Sequence, residues 1–228
     1  DLLFTLPEPV AAPATSSRAT SVTGLVTYAG CPRRFFWAEV DRLPRRHNPA
    51  ARRGVDVHRR IELHHKGIVP LEEVDSAMYD LVVPDGEPGA ASGPAAFATF
   101  SSSRFASTRP LFVEGPFELR LDVDFVVRGR VDAIYESEGH WEVVDFKSGR
   151  PSDDPATRVQ LEAYALAARE GAFSGTTPES MSVTFAYLGG GLTERTEDVD
   201  AAWLNRAEEH LGAIAADIIA ERFDPVPS

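Results

Sequence analysis

From Leu111 to Phe146 apolar and polar side chains alternate: Phe112 against Glu114, then Leu119, Leu121, Val123 and Phe125, then Val131, Ala133 and Tyr135, then Val143, Val144 and Phe146. Period-two alternation marks strands with a buried face, and it predicts three or four of them. The turns are expected at Gly115-Pro116, Arg128-Gly129 and Ser137-Glu138-Gly139. Elsewhere the spacing is helical. Residues 23–41 carry Leu25, Tyr28, Phe35, Phe36 and Trp37 around Gly30 and Pro32, which predicts two short helices with a break. Pro49 opens a helix reaching Lys66, on which His58, Ile61, Glu62 and His65 share a face. Leu71–Val82 has another helical pattern, residues 83–94 read as a Pro/Gly loop, and residues 95–108 form a helix burying Phe97, Phe100 and Phe105. A helix over 157–170 and a strand over 181–188 follow. Gly189-Gly190-Gly191 reads as a hairpin turn into a last strand, and residues 201–222 as a long helix burying Trp203, Leu211, Ile214, Ile218 and Ile219. This order predicts an α+β fold, a central mixed β-sheet flanked by helices with an N-terminal helical segment. Residues 21–110 form the mainly helical part and 111–228 the sheet-containing core, while residues 1–20, rich in Pro, Ala, Ser and Thr, read as a linker.

Composition narrows the class. The chain has 228 residues, 43% hydrophobic and 25% charged, the balance of a globular protein, and no apolar run long enough to span a membrane. A cytoplasmic setting is expected: no secretory leader is visible, and the single Cys31 excludes an internal disulfide. Net charge is −12, which argues against indiscriminate nucleic-acid binding by the whole surface. The charge is unevenly spread. Between Cys31 and Lys66 nine arginines and one lysine face four acids, a surplus of six, so the remainder carries −18. Such a basic segment, with Arg33, Arg34, Arg52 and Arg53, is a candidate phosphate track or a solvated face paired with the acidic remainder.

The chemistry concentrates in GRVDAIYESEGHWEVVDFKSG, residues 129–149. Asp132 ends one extended run, and Asp145 sits in the next, two residues before Lys147 and therefore on the same face. Two carboxylates and an ammonium converging on one spot suit a divalent metal and a phosphate, the needs of phosphodiester cleavage. Mg2+ or Mn2+ takes oxygen ligands, here Asp132, Asp145 and the backbone carbonyl of Phe146. The bland reading of Asp145 and Lys147 is an ion pair, yet burying charge among Val143, Val144 and Phe146 without a task is costly. Gln160 and Tyr164 lie one helical turn apart on one face. His64 and His65 read as solvated, and Tyr28, Phe35 and Phe36 as core. The triple glycine is no phosphate loop, since no GK[ST] follows it, and the absence of HExxH and CxxC leaves a zinc site without support.

These pieces resemble the PD-(D/E)XK nuclease superfamily, and within it the RecB-like nuclease domain appended to bacterial helicase–nucleases. GRVDAIY (129–135), VVDFKSG (143–149) and QLEAY (160–164) carry the likeness, joined by GVDVH (54–58), FVEGPFEL (112–119) and YAGCPRRFFW (28–37). The resemblance covers roughly residues 21–225 and implies a restriction-endonuclease-like core. It implies His58 in the metal shell, Asp132 and Asp145 as metal carboxylates and Lys147 as the catalytic lysine. Gln160 and Tyr164 correspond to a QxxxY pair that positions the site and contacts DNA, and Glu114 to an acid near the metal whose role stays open. Some relatives hold an iron–sulfur cluster through the CP motif and three further cysteines. Cys31 stands in the first position alone, and one thiolate cannot hold a cluster; either the protein belongs to the cluster-free branch or this sequence stops before the other cysteines, and no cluster is expected from this chain. The implied activity is metal-dependent hydrolysis of DNA, single-stranded and taken from an end, as the C-terminal exonuclease module of a DNA-repair enzyme whose helicase motor lies in the same polypeptide or complex; the linker-like start and the missing Met point the same way. A nuclease-like scaffolding module that binds DNA without cutting is the alternative, disfavoured by the intact Asp132, Asp145 and Lys147.

Overall fold

The computed structural model describes residues 18–43, 49–68, 93–122 and 124–224, and for residues 49–53 the backbone alone. A short strand β1 (Arg18–Ser21) leads into α1 (Val22–Gly30), capped by the Ser21 hydroxyl, which accepts from the Gly24 amide at 2.9 Å. Pro32 starts α2 (Pro32–Phe35), and a π turn (Phe36–Val40) continues it. Then come α3 (Pro49–His65), α4 (Gly93–Ser101) and α5 (Arg104–Ser107). The strands β2 (Phe112–Asp122), β3 (Phe125–Ser137) and β4 (His140–Lys147) follow, then α6 (Arg158–Arg169), β5 (Ser180–Tyr187), β6 (Thr193–Val199) and α7 (Ala201–Ile219). The expected α+β architecture is present, with a mixed sheet between helical layers.

The sheet has six strands ordered β1-β3-β4-β5-β6, with β2 on β3. The β1/β3 and β4/β5 pairs are parallel and the other three antiparallel. Two apolar clusters cover its faces. One joins the sheet to α1, α6 and α7 through residues such as Leu25, Val143, Val183, Leu166 and Leu211. The other joins it to α3, α4 and α5 through Val57, Phe100, Phe105, Val144 and Phe146. Burial of these side chains stabilises each by about 1.5–3 kcal/mol and fixes which face each strand presents. On α7 the buried residues Trp203, Ala207, Leu211, Ile214 and Ile218 recur at helical spacing, and the Asp200 carboxylate caps the Trp203 amide at 2.6 Å. Ile219, expected in that stripe, is partly buried beside it.

Three features depart from the alternation pattern. The Gly115-Pro116 and Arg128-Gly129 turns do not form: β2 and β3 run straight through them as one long hairpin. Pro116 lies on an edge strand, where its missing N–H breaks no ladder bond. Gly129 lies under the Phe117 ring, which a Cβ there would meet at 2.5 Å. The third expected turn, at Glu138-Gly139, does form, with φ of 52° and 81° closing a two-residue hairpin. Residues 18–20, read as the end of a linker, are the strand β1; Arg18 donates to the carbonyls of Ile218 and Ile219 at 3.1 and 2.9 Å. Residues 95–108 form two helices, with Phe100 and Phe105 fully buried and Phe97 partly so. The helical pattern at Leu71–Val82 and most of the loop at 83–94 lie outside the described residues.

Candidate active site

The site forms where the sheet forks. Along one edge of β3, β1 pairs with residues 125–128 and β4 with residues 133–137, while β2 occupies the other edge. Among the described residues, 129–132 of β3 are left without a strand neighbour on the forked side. Asp132 stands there and serves as a substitute rung: its Oδ2 accepts from the Phe146 amide at 2.8 Å. Across the hairpin Glu114 faces Asp132 with φ of 49°, a left-handed conformation that non-glycine residues rarely adopt. Side-chain alternation shifts at the same place. Val131 belongs to the α6 side of the sheet and Ala133, two residues on, to the α3 side. The fork therefore lets side chains from both helical layers meet.

From one layer α3 delivers His58, whose Nδ1 lies 3.2 Å from Asp132 Oδ1 and 3.8 Å from Glu114 Oε1. The ligand atoms of His58, Glu114 and Asp132 lie within 4.8 Å of one another. Burial disfavours the imidazolium, but the Asp132 and Glu114 carboxylates overcome it and push the His58 pKa up to about 11. This excess of negative charge around one nitrogen-bearing ligand is the electrostatics of a cation site. From the other layer come Asp145, Lys147, Gln160 and Tyr164. Lys147 Nζ lies 2.8 Å from Asp145 Oδ2 and donates to Gln160 Oε1 at 2.7 Å, and Gln160 Nε2 donates to the Tyr164 hydroxyl at 2.7 Å. Asp145 is fully buried, and beyond the 2.8 Å ion pair with Lys147 its two oxygens find no further hydrogen-bond partner among the described residues. Burial raises its pKa, opposed by Lys147 and assisted by Asp132. A buried carboxylate with free lone pairs next to a His/Glu/Asp trio fits an oxygen-preferring divalent cation.

The residues singled out in the sequence do not all behave as expected. His58, Asp132, Asp145, Lys147, Gln160 and Tyr164 converge on the fork. Glu114 joins them more closely than the strand pattern implied, in the trio with His58 and Asp132. Phe146 offers its amide to Asp132. Tyr164, expected to contact DNA, is 3% exposed, lies edge-on to Phe117, and spends its hydroxyl on Gln160; burial takes it off any DNA-facing surface. Arg33 and Arg34 are exposed on α2, with the Arg33 guanidinium 5.2 Å from the Trp37 ring. The side chains of Arg52 and Arg53 lie outside the described residues. His65, expected in solvent, is half-buried: its Nε2 meets the Tyr135 hydroxyl at 3.1 Å and its ring lies edge-on to Phe100. His64 is exposed and bonded to the Ala106 carbonyl. The left-handed Glu114 escaped sequence reading, because nothing in FVEGPFEL except the adjacent glycine signals a backbone irregularity.

Against this geometry the family assignment is direct. Residues 19–228 match the PD-(D/E)XK nuclease superfamily, and the chain belongs to it. Its members use divalent metals, in keeping with the trio at the fork. The gene 69 protein of Mycobacterium phage D29 is 31% identical over 118 residues, half of this chain and 42% of that protein's length. A candidate exonuclease from Eubacterium rectale superposes with a TM-score of 0.55 at 12% identity, covering 97% of this chain and 88% of its own, a likeness of fold. Among the described residues no helix is long and apolar enough to cross a membrane.

Proposed function

We propose that the chain is a Mg2+- or Mn2+-dependent deoxyribonuclease of the RecB-like branch, an exonuclease module that hydrolyses DNA from an end. The observation that carries this is the convergence at the sheet fork of His58, Glu114 and Asp132 with Asp145 and its partner Lys147. His58, Glu114, Asp132 and Asp145, with the Phe146 carbonyl, would hold the cation. Bound there, it supplies an acidified water and neutralises phosphate charge. Lys147, aimed by Asp145 and Gln160, orients the attacking water or offsets charge on the phosphate oxygens. Gln160 holds that ammonium in place and is itself fixed by Tyr164, so the QxxxY pair acts through Lys147. The exposed Arg33 and Arg34, with Arg52 and Arg53, supply phosphate contacts that the chain's net charge of −12 otherwise discourages. A single strand, fed by a helicase motor in the same polypeptide or complex during DNA repair in the cytoplasm, is the substrate this reading favours.

Cleavage of end-labelled single-stranded DNA, with Mn2+ or with EDTA, tests it. Metal-dependent cutting that Asp145→Asn removes is the expected result, and the product ladder separates exonucleolytic from endonucleolytic action. No cutting and no Mn2+ binding by calorimetry would return the chain to a scaffolding role.

A further inference from the structure

Beyond the fork, the loops that leave the parallel strands β4 and β5 run together. The Leu188 amide donates to the Lys147 carbonyl at 2.8 Å and the Gly189 amide to the Gly149 carbonyl at 3.0 Å. A Cβ on Gly189 would lie 2.5 Å from the Gly149 carbonyl carbon, so only glycine permits this approach. Gly190 and Gly191 continue the ledge, exposed, with φ of 84° and 110°. No side chain rises from residues 149 or 189–191. One cation lies along this bare ledge: Arg150, exposed, whose Nε is 3.4 Å from where a Cβ on Gly190 would stand. The acids of its own loop are engaged elsewhere. Asp153 pairs with Arg195 at 2.7 Å, and Asp154 caps the Ala156 amide at 2.9 Å. Among the described residues Arg150 has no ion pair, in a chain with twelve more acids than bases.

We propose that Arg150 is a DNA-positioning residue that binds a backbone phosphate next to the scissile one, on the glycine ledge three residues beyond Lys147. This rests on the nuclease reading above. A guanidinium offers paired donors to phosphate oxygens, and a ledge without side chains lets a sugar–phosphate strand come close to it. The contact adds affinity and sets the strand's register across the fork without taking part in the chemistry.

The test is the anisotropy of a fluorescein-labelled single-stranded oligonucleotide with the whole chain in Ca2+, across a KCl series, beside cleavage kinetics in Mn2+. Arg150→Ala is expected to weaken binding about tenfold and to flatten the salt slope by about 0.7. It should raise KM with kcat near that of the wild type, and Arg150→Lys should restore most of the slope. Wild-type binding with an unchanged Kd and slope in Arg150→Ala would overturn the assignment while leaving the nuclease reading intact. A wild type that neither binds nor cuts DNA would overturn both. A variant that loses kcat together with melting temperature would assign Arg150 a structural role and overturn the phosphate contact.

Discussion

Glu142 and Asp145 stand three residues apart on β4 and project to opposite faces of the sheet. Both are carboxylates withdrawn from water, and their surroundings are opposite. Glu142 accepts two hydrogen bonds from Arg104, at 2.7 and 2.6 Å, and one from the Thr184 hydroxyl at 2.8 Å. Burial works against its charge, but Arg104 and Thr184 prevail and hold its pKa below the usual carboxylate value. Asp145 is more deeply buried, pairs with Lys147 at 2.8 Å, and finds no further hydrogen-bond partner for its oxygens among the described residues. The first arrangement is closed: its lone pairs are used, and it ties α5 to the sheet. The second is open, and unsatisfied polar atoms in a native interior ask for an explanation. A ligand that belongs there supplies one. Glu162 on α6 repeats the closed pattern, buried against His210 at 2.7 Å and Arg158 at 3.5 Å, on the helix that also carries Gln160. On the strand, then, the completeness of the hydrogen bonding separates Glu142 from Asp145, whereas on the helix Gln160 is itself bonded at both ends, to Lys147 and Tyr164.

Asp145→Asn should break the open arrangement with the largest effect. Cleavage is expected to fall by on the order of a thousandfold, with little change in melting temperature, because the amide removes a buried charge that nothing fully satisfies. Near wild-type turnover in the purified variant, or a protein that no longer folds, would place Asp145 with Glu142. The converse change is Glu142→Ala. It should cost about 2 kcal/mol by removing the acceptor that Thr184 and Arg104 share, Arg104 keeping only Glu194, a drop of about 4–8 °C in melting temperature, with cleavage at 25 °C close to normal. Loss of turnover in a folded Glu142→Ala protein would end the distinction between the two.

Acid stability sharpens the contrast next. Burial, with His64 adding to it, holds the His65 pKa down to about 4 from its usual 6.5. The fold prefers neutral His65, so its contribution is full above pH 6.5 and is lost as pH falls towards 4. Glu142 follows at lower pH, since its depressed pKa keeps its contribution until the carboxylate protonates. Melting temperatures of wild type and His65→Asn between pH 7.5 and 4 should diverge most at neutral pH and converge in acid. Asp145 titrates in the opposite sense in both proteins, so the difference isolates the histidine. A constant gap across the range would mean that His65 does not titrate with folding.

The helices were legible because their buried faces repeat at helical spacing, as Trp203 to Ile218 show on α7. The candidate site residues were legible because Asp145 and Lys147 alternate onto one face and Gln160 and Tyr164 stack by one turn. What escaped was set by pairing. Gly115-Pro116 and Gly129 look like turns until β2 is known to be an edge strand and Phe117 to cover the glycine. β1 has no alternation to betray it and exists through its pairing with β3. Tyr164 was placed on the correct helix face, but the strand sequence alone does not say that Phe117 closes over it. The fork itself depends on two different strands ending on one edge of β3, which no local window contains.

The smallest expected effect concerns Glu114, where backbone and side chain pull in opposite directions. Its left-handed φ of 49° costs of order 1–3 kcal/mol in a residue with a Cβ, part of which glycine would relieve at some expense in chain entropy. The carboxylate meanwhile stands with His58 and Asp132 where a cation fits. Glu114→Gly should therefore leave melting temperature unchanged or slightly raised and weaken Mn2+ binding on the order of tenfold. Glu114→Gln keeps the strain and removes the charge, so it should lose the same affinity without the stability. If Glu114→Gly instead unfolds the protein while Mn2+ affinity persists in Glu114→Gln, then Glu114 belongs with Glu142 and Glu162 as a closed structural group, and the trio at the fork loses one of its three ligands.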